Sequence, residues 1–244
     1  MVISLKYTRD DLLARTAMLI GKQGLDILWK KSIAVFGAGG VGGHCIEALA
    51  RCGIGHIHIV DADRVAESNL NRQIFATRST IGMLKVDAAR RRIEDISYCN
   101  VTTDNIFVLP DNVSSAIPEG IDYVIDAIDT VAAKVALACE AKRRDIPIIS
   151  CMGTGNRLEP GNLRITDIYD TKGCPLARAM RHELRKKGVN KLKVLVSDSP
   201  VIKPNISAEG RQPPGSISYV PAMAGLMLCG TVVSELLGCV IKQV

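Results

Sequence analysis

Glycines with a regular spacing are the first feature of the chain that could do chemistry. They lie in the sequence GAGGVGG, between an apolar run typical of a β-strand and an apolar helical pattern. In such a strand–turn–helix unit, Gly37 permits a tight turn and Gly42 permits close packing of the helix. Between them, Gly39 and Gly40 leave room beside the backbone for a phosphate or a ribose. The spacing predicts a nucleotide site, and it is compatible with NAD as well as with ATP.

The polar residues that come next discriminate between the two nucleotides. Asp61 ends a second apolar run, where its carboxylate can accept hydrogen bonds from the ribose hydroxyls of either one. Helix amides satisfy most of the pyrophosphate of NAD, whereas a triphosphate attacked at its α-phosphorus needs several cations and a metal ion. Arg72 and Lys85 supply two cations, and Asn69 can donate a hydrogen bond to a phosphate oxygen. Either cation alone would fit a solvated loop, but the set favours ATP.

Two aspartates close a later apolar run, in the sequence DYVIDAIDT. The carboxyl ends of parallel strands form the ligand-binding edge of an α/β sheet. Asp129 is predicted at this edge, where its carboxylate can hold Mg²⁺ against the phosphates; capping of the following helix is the alternative role. Asp126 comes earlier in the strand, and we expect a structural role for it.

Alternating strand and helix patterns must position these residues. Strands are predicted at residues 31–37, 56–61, 101–108, 123–128 and 146–152, and helices at 1–30, 41–52, 83–97 and 132–144. Beyond residue 152, the patterns predict an antiparallel strand within 158–170, a basic helix at 175–187, a strand at 191–197, a Pro- and Gly-rich loop at 197–218 and an apolar helix at 222–241.

These patterns predict one α/β domain over residues 1–244, Rossmann-like, with a mostly parallel sheet and helices on both of its faces. Residues 31–152 form the nucleotide-binding core, and residues 153–244 form an extension with a few antiparallel strands and a C-terminal apolar helix. The chain of 244 residues, 47% of them hydrophobic, is long enough to bury the core of such a domain.

The composition also restricts the partners. A net charge of +6 permits an RNA partner without requiring one. None of the eight cysteines forms the CxxC pair typical of zinc sites, so we expect no zinc, and reduced thiols with no signal peptide predict a cytoplasmic protein. The apolar segment at 222–241 is long enough to span a bilayer, but Glu235 within it favours a buried helix over membrane contact.

Six short sequences, in this order and spacing, resemble the ThiF-like superfamily of ubiquitin-activating-enzyme-like adenylyltransferases. They are RTAMLIG, GAGGVGG, VDADRV, NLNRQ, GMLK and DAIDT, and they span roughly residues 12–155. The resemblance implies ATP-dependent adenylation of a carboxylate with release of pyrophosphate. It assigns Asp61 to the ribose, Asn69, Arg72 and Lys85 to the phosphates, and Asp129 to Mg²⁺. It also implies a homodimer in which Arg15 reaches the partner's ATP site.

The later part of the chain looks like one branch of that superfamily. The sequences CPLARAMRHELRKKGVNKLKV and PPGSISYVPAMAGL are similar to those of the tRNA threonylcarbamoyladenosine dehydratases, over most of residues 150–237. The resemblance implies cyclisation of a modified adenosine beside the anticodon, and thus a tRNA partner. It also allows a sulfur-relay protein and a monovalent cation, Na⁺ or K⁺. Seven cations could contact RNA phosphates, namely Arg178, Arg181, Arg185, Lys186, Lys187, Lys191 and Lys193.

Other readings stay open at this level. A sulfur-carrier adenylyltransferase, acting on a small protein with a C-terminal Gly-Gly, is disfavoured by the missing CxxC pairs and by the basic helix. A non-catalytic NAD-binding module would leave Arg15, Arg72 and Lys85 unexplained together. Cys174 is either a reactive thiol or a packing residue, and packing is favoured. The bend at 213–215 could line a nucleoside pocket.

Overall fold

The computed structural model describes residues 7–202 and 214–238. Its sheet contains β1 (Ser32–Phe36), β2 (His56–Val60), β3 (Asn100–Asp104), β4 (Tyr123–Asp126), β5 (Ile148–Cys151), β6 (Leu163–Asp167) and β7 (Lys193–Ser197). The strand order is β3-β2-β1-β4-β5-β7-β6. All neighbouring pairs are parallel except β6 with β7, which confirms the predicted sheet with an antiparallel extension.

The helices are α1 (Arg9–Leu12), α2 (Ala14–Trp29), α3 (Gly42–Cys52), α4 (Lys85–Ile96), α5 (Val113–Ala116), α6 (Val131–Arg143), α7 (Pro175–Lys186) and α8 (Tyr219–Leu237). Two short 3-10 turns, Glu67–Asn69 and Ile168–Asp170, add to them. A kink at Gly21, whose φ is 70°, divides α2.

The side chains of β1 alternate between the two faces of the sheet, as those of any strand must. Ile33 and Val35 pack into the larger core cluster, which also takes in α3, α4 and α8. Ala34 and Phe36 point the other way, into the cluster formed with α5 and α6. The sheet is therefore covered by helices on both faces, and α7 closes a third apolar cluster at the β7 end.

Two predicted boundaries differ clearly from the structure. The predicted strand at 101–108 ends at Asp104, because β3 pairs only with β2 and its last partner there is Val60. The apolar helix begins earlier than predicted, at Tyr219, and the predicted end at 241 lies outside the described residues. Most of the predicted loop at 197–218 also lies outside them, as do residues 1–6 of the predicted N-terminal helix.

Helix α8 packs closely along α3. A Cβ atom at Gly225 would lie 2.3 Å from the carbonyl oxygen of Val41, so the two backbones touch there and only glycine fits. By length and composition alone, α8 is the one helix among the described residues that could cross a bilayer, and 44% of its apolar window is buried in the fold. Its exposed side carries Met223 and Leu226.

Candidate nucleotide site

The strand order reverses between β1 and β4, because the chain builds outward from β1 to β3 and then returns to the other side of β1. A crevice at the carboxyl ends of such a pair is where α/β sheets bind ligands. Gly37 follows β1 with a φ of +94°, and a Cβ atom there would lie 2.8 Å from the carbonyl oxygen of Ala127, which follows β4. The glycine turn thus forms one wall of the crevice.

The glycines of the turn differ in what they make possible. A Cβ atom at Gly42 would lie 1.7 Å from the carbonyl oxygen of Gly37, so Gly42 is needed for the turn itself. At Gly39, the nearest described atom to such a Cβ is Nε2 of Gln73, 3.8 Å away, which is ordinary van der Waals contact and no clash. Gly40 faces Arg72 and Pro221, whose carbons would lie 3.4 Å and 3.3 Å from its Cβ. The backbone at Gly39 is therefore accessible to a ligand.

Asp61 follows β2 beside this turn, and its carboxylate is held by backbone amides. The amide of Ala38 donates to Oδ2 at 2.7 Å, and the amide of Asp63 donates to Oδ1 at 2.8 Å. Burial raises the pKa of Asp61 above its ordinary value, while the charge of Lys85 acts in the opposite direction. Each carboxylate oxygen has a second lone pair, so Asp61 can still accept from ribose hydroxyls.

Lys85 is the first residue of α4, and its side chain is almost fully buried. Its Nζ lies 2.6 Å from Oδ2 of Asp63, a carboxylate that is itself half-exposed. The ammonium is therefore fixed near Asp61 at the end of β2. Because helix N-termini attract anions, Lys85 adds its charge to a favourable backbone field.

Asn69 ends the 3-10 turn in the connection after β2, and Arg72 follows that turn. The Asn69 carboxamide accepts from the amide of Ala66 at 3.1 Å, which shapes that turn. Nη1 of Arg72 donates to the carbonyl of Ser68 at 2.8 Å and to Oδ1 of Asn71 at 2.9 Å. These contacts orient the guanidinium next to the glycine turn.

Gln73 is a site residue that the sequence reasoning missed. It is buried, and its amide is the described group nearest to a Cβ built at Gly39. The signal was its position within the NLNRQ sequence, directly after Arg72. A buried amide here can donate to a nucleotide that passes the turn.

Asp129 lies at the carboxyl end of β4, on the same edge of the sheet. Its side chain is exposed, and its recorded hydrogen bond is a long one, 3.4 Å from Oγ1 of Thr130. The alternative capping role is wrong, because the N-cap of α6 is Thr130. The described residues contain no group of three acidic, His or Cys side chains that could enclose a metal. A lone carboxylate suits Mg²⁺, which commonly takes its other ligands from phosphates and water.

Asp126 has the structural role expected for it. It is completely buried, with Oδ2 2.9 Å from Nζ of Lys134 and 2.5 Å from Oγ of Ser150. Nζ of Lys134 also donates to the carbonyls of Ile128, at 3.1 Å, and Cys151, at 2.9 Å. This buried pair, which the sequence did not predict, ties the ends of β4 and β5 together just before Asp129.

Arg15 is not brought to this site by its own chain. It lies on the exposed side of α2 and forms no hydrogen bond or ion pair with any residue between 7–202 or 214–238. Two large apolar side chains follow it on the same helix: Met18 is 79% exposed and Leu19 is 81% exposed.

Some of the cations of the basic helix α7 contact other parts of the fold, and others are exposed to solvent. Nη1 of Arg181 donates to the carbonyls of Thr171, at 3.1 Å, and Ile168, at 3.3 Å, so this arginine holds the turn before the helix. The guanidinium of Arg185 stacks over the ring of Tyr169 at 5.2 Å. Cys174 is buried at the N-cap of α7 among apolar side chains, as a packing residue would be.

Of the remaining candidate RNA contacts, Lys193 pairs with Glu235 of α8. Arg178, Arg185, Lys186, Lys187 and Lys191 are exposed, and Lys186 also pairs with Glu183 at 2.8 Å. Arg181, Lys186 and Lys193 each already have an acceptor within the fold, and the expectation that all seven cations face RNA phosphates stays a prediction.

Comparison with known proteins adds to this geometry. The model of the ThiF family matches residues 13–243. A tRNA threonylcarbamoyladenosine dehydratase from Bacillus subtilis is 42% identical over 238 residues, which cover 92% of this chain and 94% of that protein. The crystal structure of the Escherichia coli tRNA N6-threonylcarbamoyladenosine dehydratase in complex with ATP has a TM-score of 0.87 and 32% identity, and the match covers 96% of this chain and 97% of that one.

A more distant relative belongs to another branch. The adenylyltransferase and sulfurtransferase MOCS3 of Culex quinquefasciatus is 37% identical over 178 residues, which cover 72% of this chain but 38% of that protein. The match to the Bacillus protein, in contrast, covers 94% of that protein.

Proposed function

The chain belongs to the ThiF family, and we propose that it catalyses the ATP-dependent dehydration of N6-threonylcarbamoyladenosine in tRNA, beside the anticodon. The observation that carries this proposal is the similarity to the Bacillus dehydratase along nearly the full length of both chains. The ATP complex of the Escherichia coli relative supports the same nucleotide. The adenylating site described above supplies the chemistry.

The first step activates the threonyl carboxylate. One of its oxygens attacks the α-phosphorus of ATP, an acyl-adenylate forms, and pyrophosphate leaves. In this proposal Asp61 holds the ribose, while Asn69, Arg72 and Lys85 hold the phosphates and offset the charge that develops on them. Gly37, Gly39, Gly40 and Gly42 let the nucleotide approach the backbone. Mg²⁺ held by Asp129 would neutralise phosphate charge and help pyrophosphate to leave.

The second step closes a ring. An atom of the carbamoyl unit attacks the activated carbonyl carbon and releases its proton to solvent. AMP leaves with the carboxylate oxygen, so the nucleoside has lost the elements of water. Because both reacting groups belong to one substrate, the effective concentration is high and no nucleophile from the protein is needed. This is consistent with Cys174 being buried in packing.

A homodimer completes the proposed site. Arg15 lies beside two exposed apolar side chains, Met18 and Leu19, on the outer face of α2. Exposed groups of this kind are typical of protein interfaces. Burying them against a second copy would carry Arg15 to the partner's ATP, where its charge could act on the phosphates.

The tRNA would lie across the exposed cations of α7 and the segment that follows it. The reaction is proposed to take place in the cytoplasm, where tRNA and ATP are available. A sulfur-relay protein and a monovalent cation remain predictions from the family resemblance alone.

One incubation tests the proposed function against its alternative. The protein is mixed with ATP, Mg²⁺ and tRNA that carries threonylcarbamoyladenosine, and AMP release and the nucleoside mass are followed. We expect AMP and a nucleoside lighter by one water, with neither change for tRNA that lacks the modification. AMP formation with a Gly-Gly carrier protein but not with the tRNA would overturn the proposal in favour of sulfur-carrier activation.

A further inference from the structure

Arg157 is a buried cation that the proposed adenylation step does not use. Only 5% of its surface is exposed, and its Nε and Nη1 atoms have no hydrogen-bond partner among the described residues. Burying a charged donor without an acceptor lowers the stability of a protein. Such a cost is tolerated at sites where a ligand supplies the acceptor.

The position of Arg157 in the fold indicates where that ligand lies. It is carried by the loop that follows β5, and β5 pairs with β4, so this loop shares the sheet edge that holds Asp129. The nucleotide site runs along this edge from Asp61 after β2, past the turn after β1, to Asp129 after β4. The next position along the edge, after β5, is where a second substrate would meet the phosphates.

Hydrogen bonds join this loop to the phosphate side of the site. The amide of Asn156 donates to the carbonyl of Gly215 at 2.7 Å, and the amide of Gly215 donates back to Oδ1 of Asn156 at 2.7 Å. The next residue, Ser216, accepts from Nδ2 of Asn71 at 3.0 Å. Asn71 in turn contacts the guanidinium of Arg72. The Arg157 loop is thus fixed relative to the residues proposed to hold the phosphates.

We propose that Arg157 binds the threonyl carboxylate of the substrate and presents it to the α-phosphorus of ATP. This inference rests on the proposed function. The reaction must remove water from the threonyl carboxylate and position it. The buried Nε and Nη1 atoms of Arg157, which share one positive charge, can donate hydrogen bonds to the carboxylate oxygens. The phosphates already have Arg72 and Lys85.

The chemistry determines which kinetic quantity Arg157 affects. As a carboxylate oxygen bonds to phosphorus, the acyl group loses the charge that Arg157 attracts, and no proton moves to or from the arginine. Its attraction is therefore strongest for the bound substrate before reaction. Arg157 should contribute to substrate binding more than to the rate of the chemical step.

The test measures carboxylate recognition without turnover. A modified anticodon stem-loop RNA is compared with the same RNA carrying the threonyl methyl ester, with AMP present in place of ATP. We expect the wild-type protein to bind the free carboxylate more tightly, by roughly 10-fold to 100-fold. Arg157→Gln should lose this preference, and Arg157→Lys should keep part of it. Arg91→Gln, which removes an exposed charge from α4, is the matched control and should keep the preference in full.

Thermal unfolding of the free proteins separates binding from a structural role. Because Arg157 lacks acceptors in the described fold, Arg157→Gln should leave Tm unchanged or raise it. A clear drop in Tm, with equally weakened binding of both RNAs, would overturn the inference, as would an unchanged preference in Arg157→Gln. Failure of the wild-type protein to dehydrate modified tRNA with ATP would instead count against the proposed function.

Discussion

At the scale of single residues, the proposed phosphate-binding groups differ in how firmly the fold holds them. Lys85 is buried and paired with Asp63, and Arg72 is held by Ser68 and Asn71. Such groups need no reorganisation when charge develops on a substrate. Asp129, in contrast, is exposed and almost uncommitted, as expected of a carboxylate whose partner arrives with the nucleotide.

This difference predicts a specific effect of Asp129→Asn. The amide can still accept a hydrogen bond but offers Mg²⁺ no charge, so we expect the Mg²⁺ concentration for half-maximal AMP formation to rise by at least about 10-fold. Titration of AMP formation with Mg²⁺ measures this. Asp111→Asn, at another exposed aspartate, should leave the titration unchanged. An unaltered Mg²⁺ dependence in Asp129→Asn would remove Asp129 from the metal site.

At the scale of elements, the glycine turn and the ends of β4 and β5 form one unit. Gly42 and Gly37 touch through backbone, and Gly37 in turn lies against Ala127. The buried ion pair between Lys134 and Asp126 holds the carboxyl end of β4 next to this turn. Removing one partner of such a pair costs about 3–5 kcal/mol, because the other is left charged and unpaired. The loop that carries Asp129 is therefore rigid at its start.

Two alanine substitutions in the turn should have opposite consequences. Gly42→Ala would force a Cβ atom to 1.7 Å from a carbonyl oxygen, so we expect a large loss of stability, visible as a lowered urea midpoint. Gly39→Ala places its Cβ in ordinary van der Waals contact with Nε2 of Gln73, without a clash, so the urea midpoint should hold while ATP affinity falls. Unfolding curves and ATP titrations of the two variants check both statements. Wild-type ATP affinity in Gly39→Ala would mean that the nucleotide does not pass this residue.

At the scale of the whole molecule, a single chain assembles most of the proposed site, and Arg15 lies outside it. The exposed face of α2, with Met18 and Leu19, is the surface on which a second copy would supply that arginine. Every contact in a symmetric dimer occurs twice, so each chain would complete the site of the other.

Mixing two inactive variants tests this arrangement. Arg15→Ala and Lys85→Ala should each lose adenylation while keeping the fold. In a mixed dimer, one site would have both defects and the other neither, so activity should return to about a quarter of the wild-type level after random exchange of subunits. AMP formation after mixing, against each variant alone, is the measurement. Activity of Arg15→Ala by itself, or no recovery on mixing, would contradict a shared site.

The predicted fold and most of the predicted site residues depend on local patterns. Strand and helix periodicity located every strand of the sheet to within a few residues, except that the strand predicted at 101–108 ended early at the sheet edge. The charges of Arg72 and Lys85 distinguished a triphosphate from NAD, because charge type is a property of the sequence itself. Periodicity gives no information on which residues that are far apart in the sequence come into contact in the fold.

The sequence by itself thus determined the fold class, the family and the chemical groups available for adenylation. Only the tertiary structure decided how these groups are used. The Asp126–Lys134 pair, the approach of Gln73 to Gly39 and the unpartnered donors of Arg157 all arise where separate elements pack. In the same way, packing commits Arg181 to backbone carbonyls. The physical reason is that the packing of strands and helices in space decides which side chains are buried and which are paired. The sequence does not show whether an arginine is exposed to solvent, bonded to a turn or in contact with a substrate.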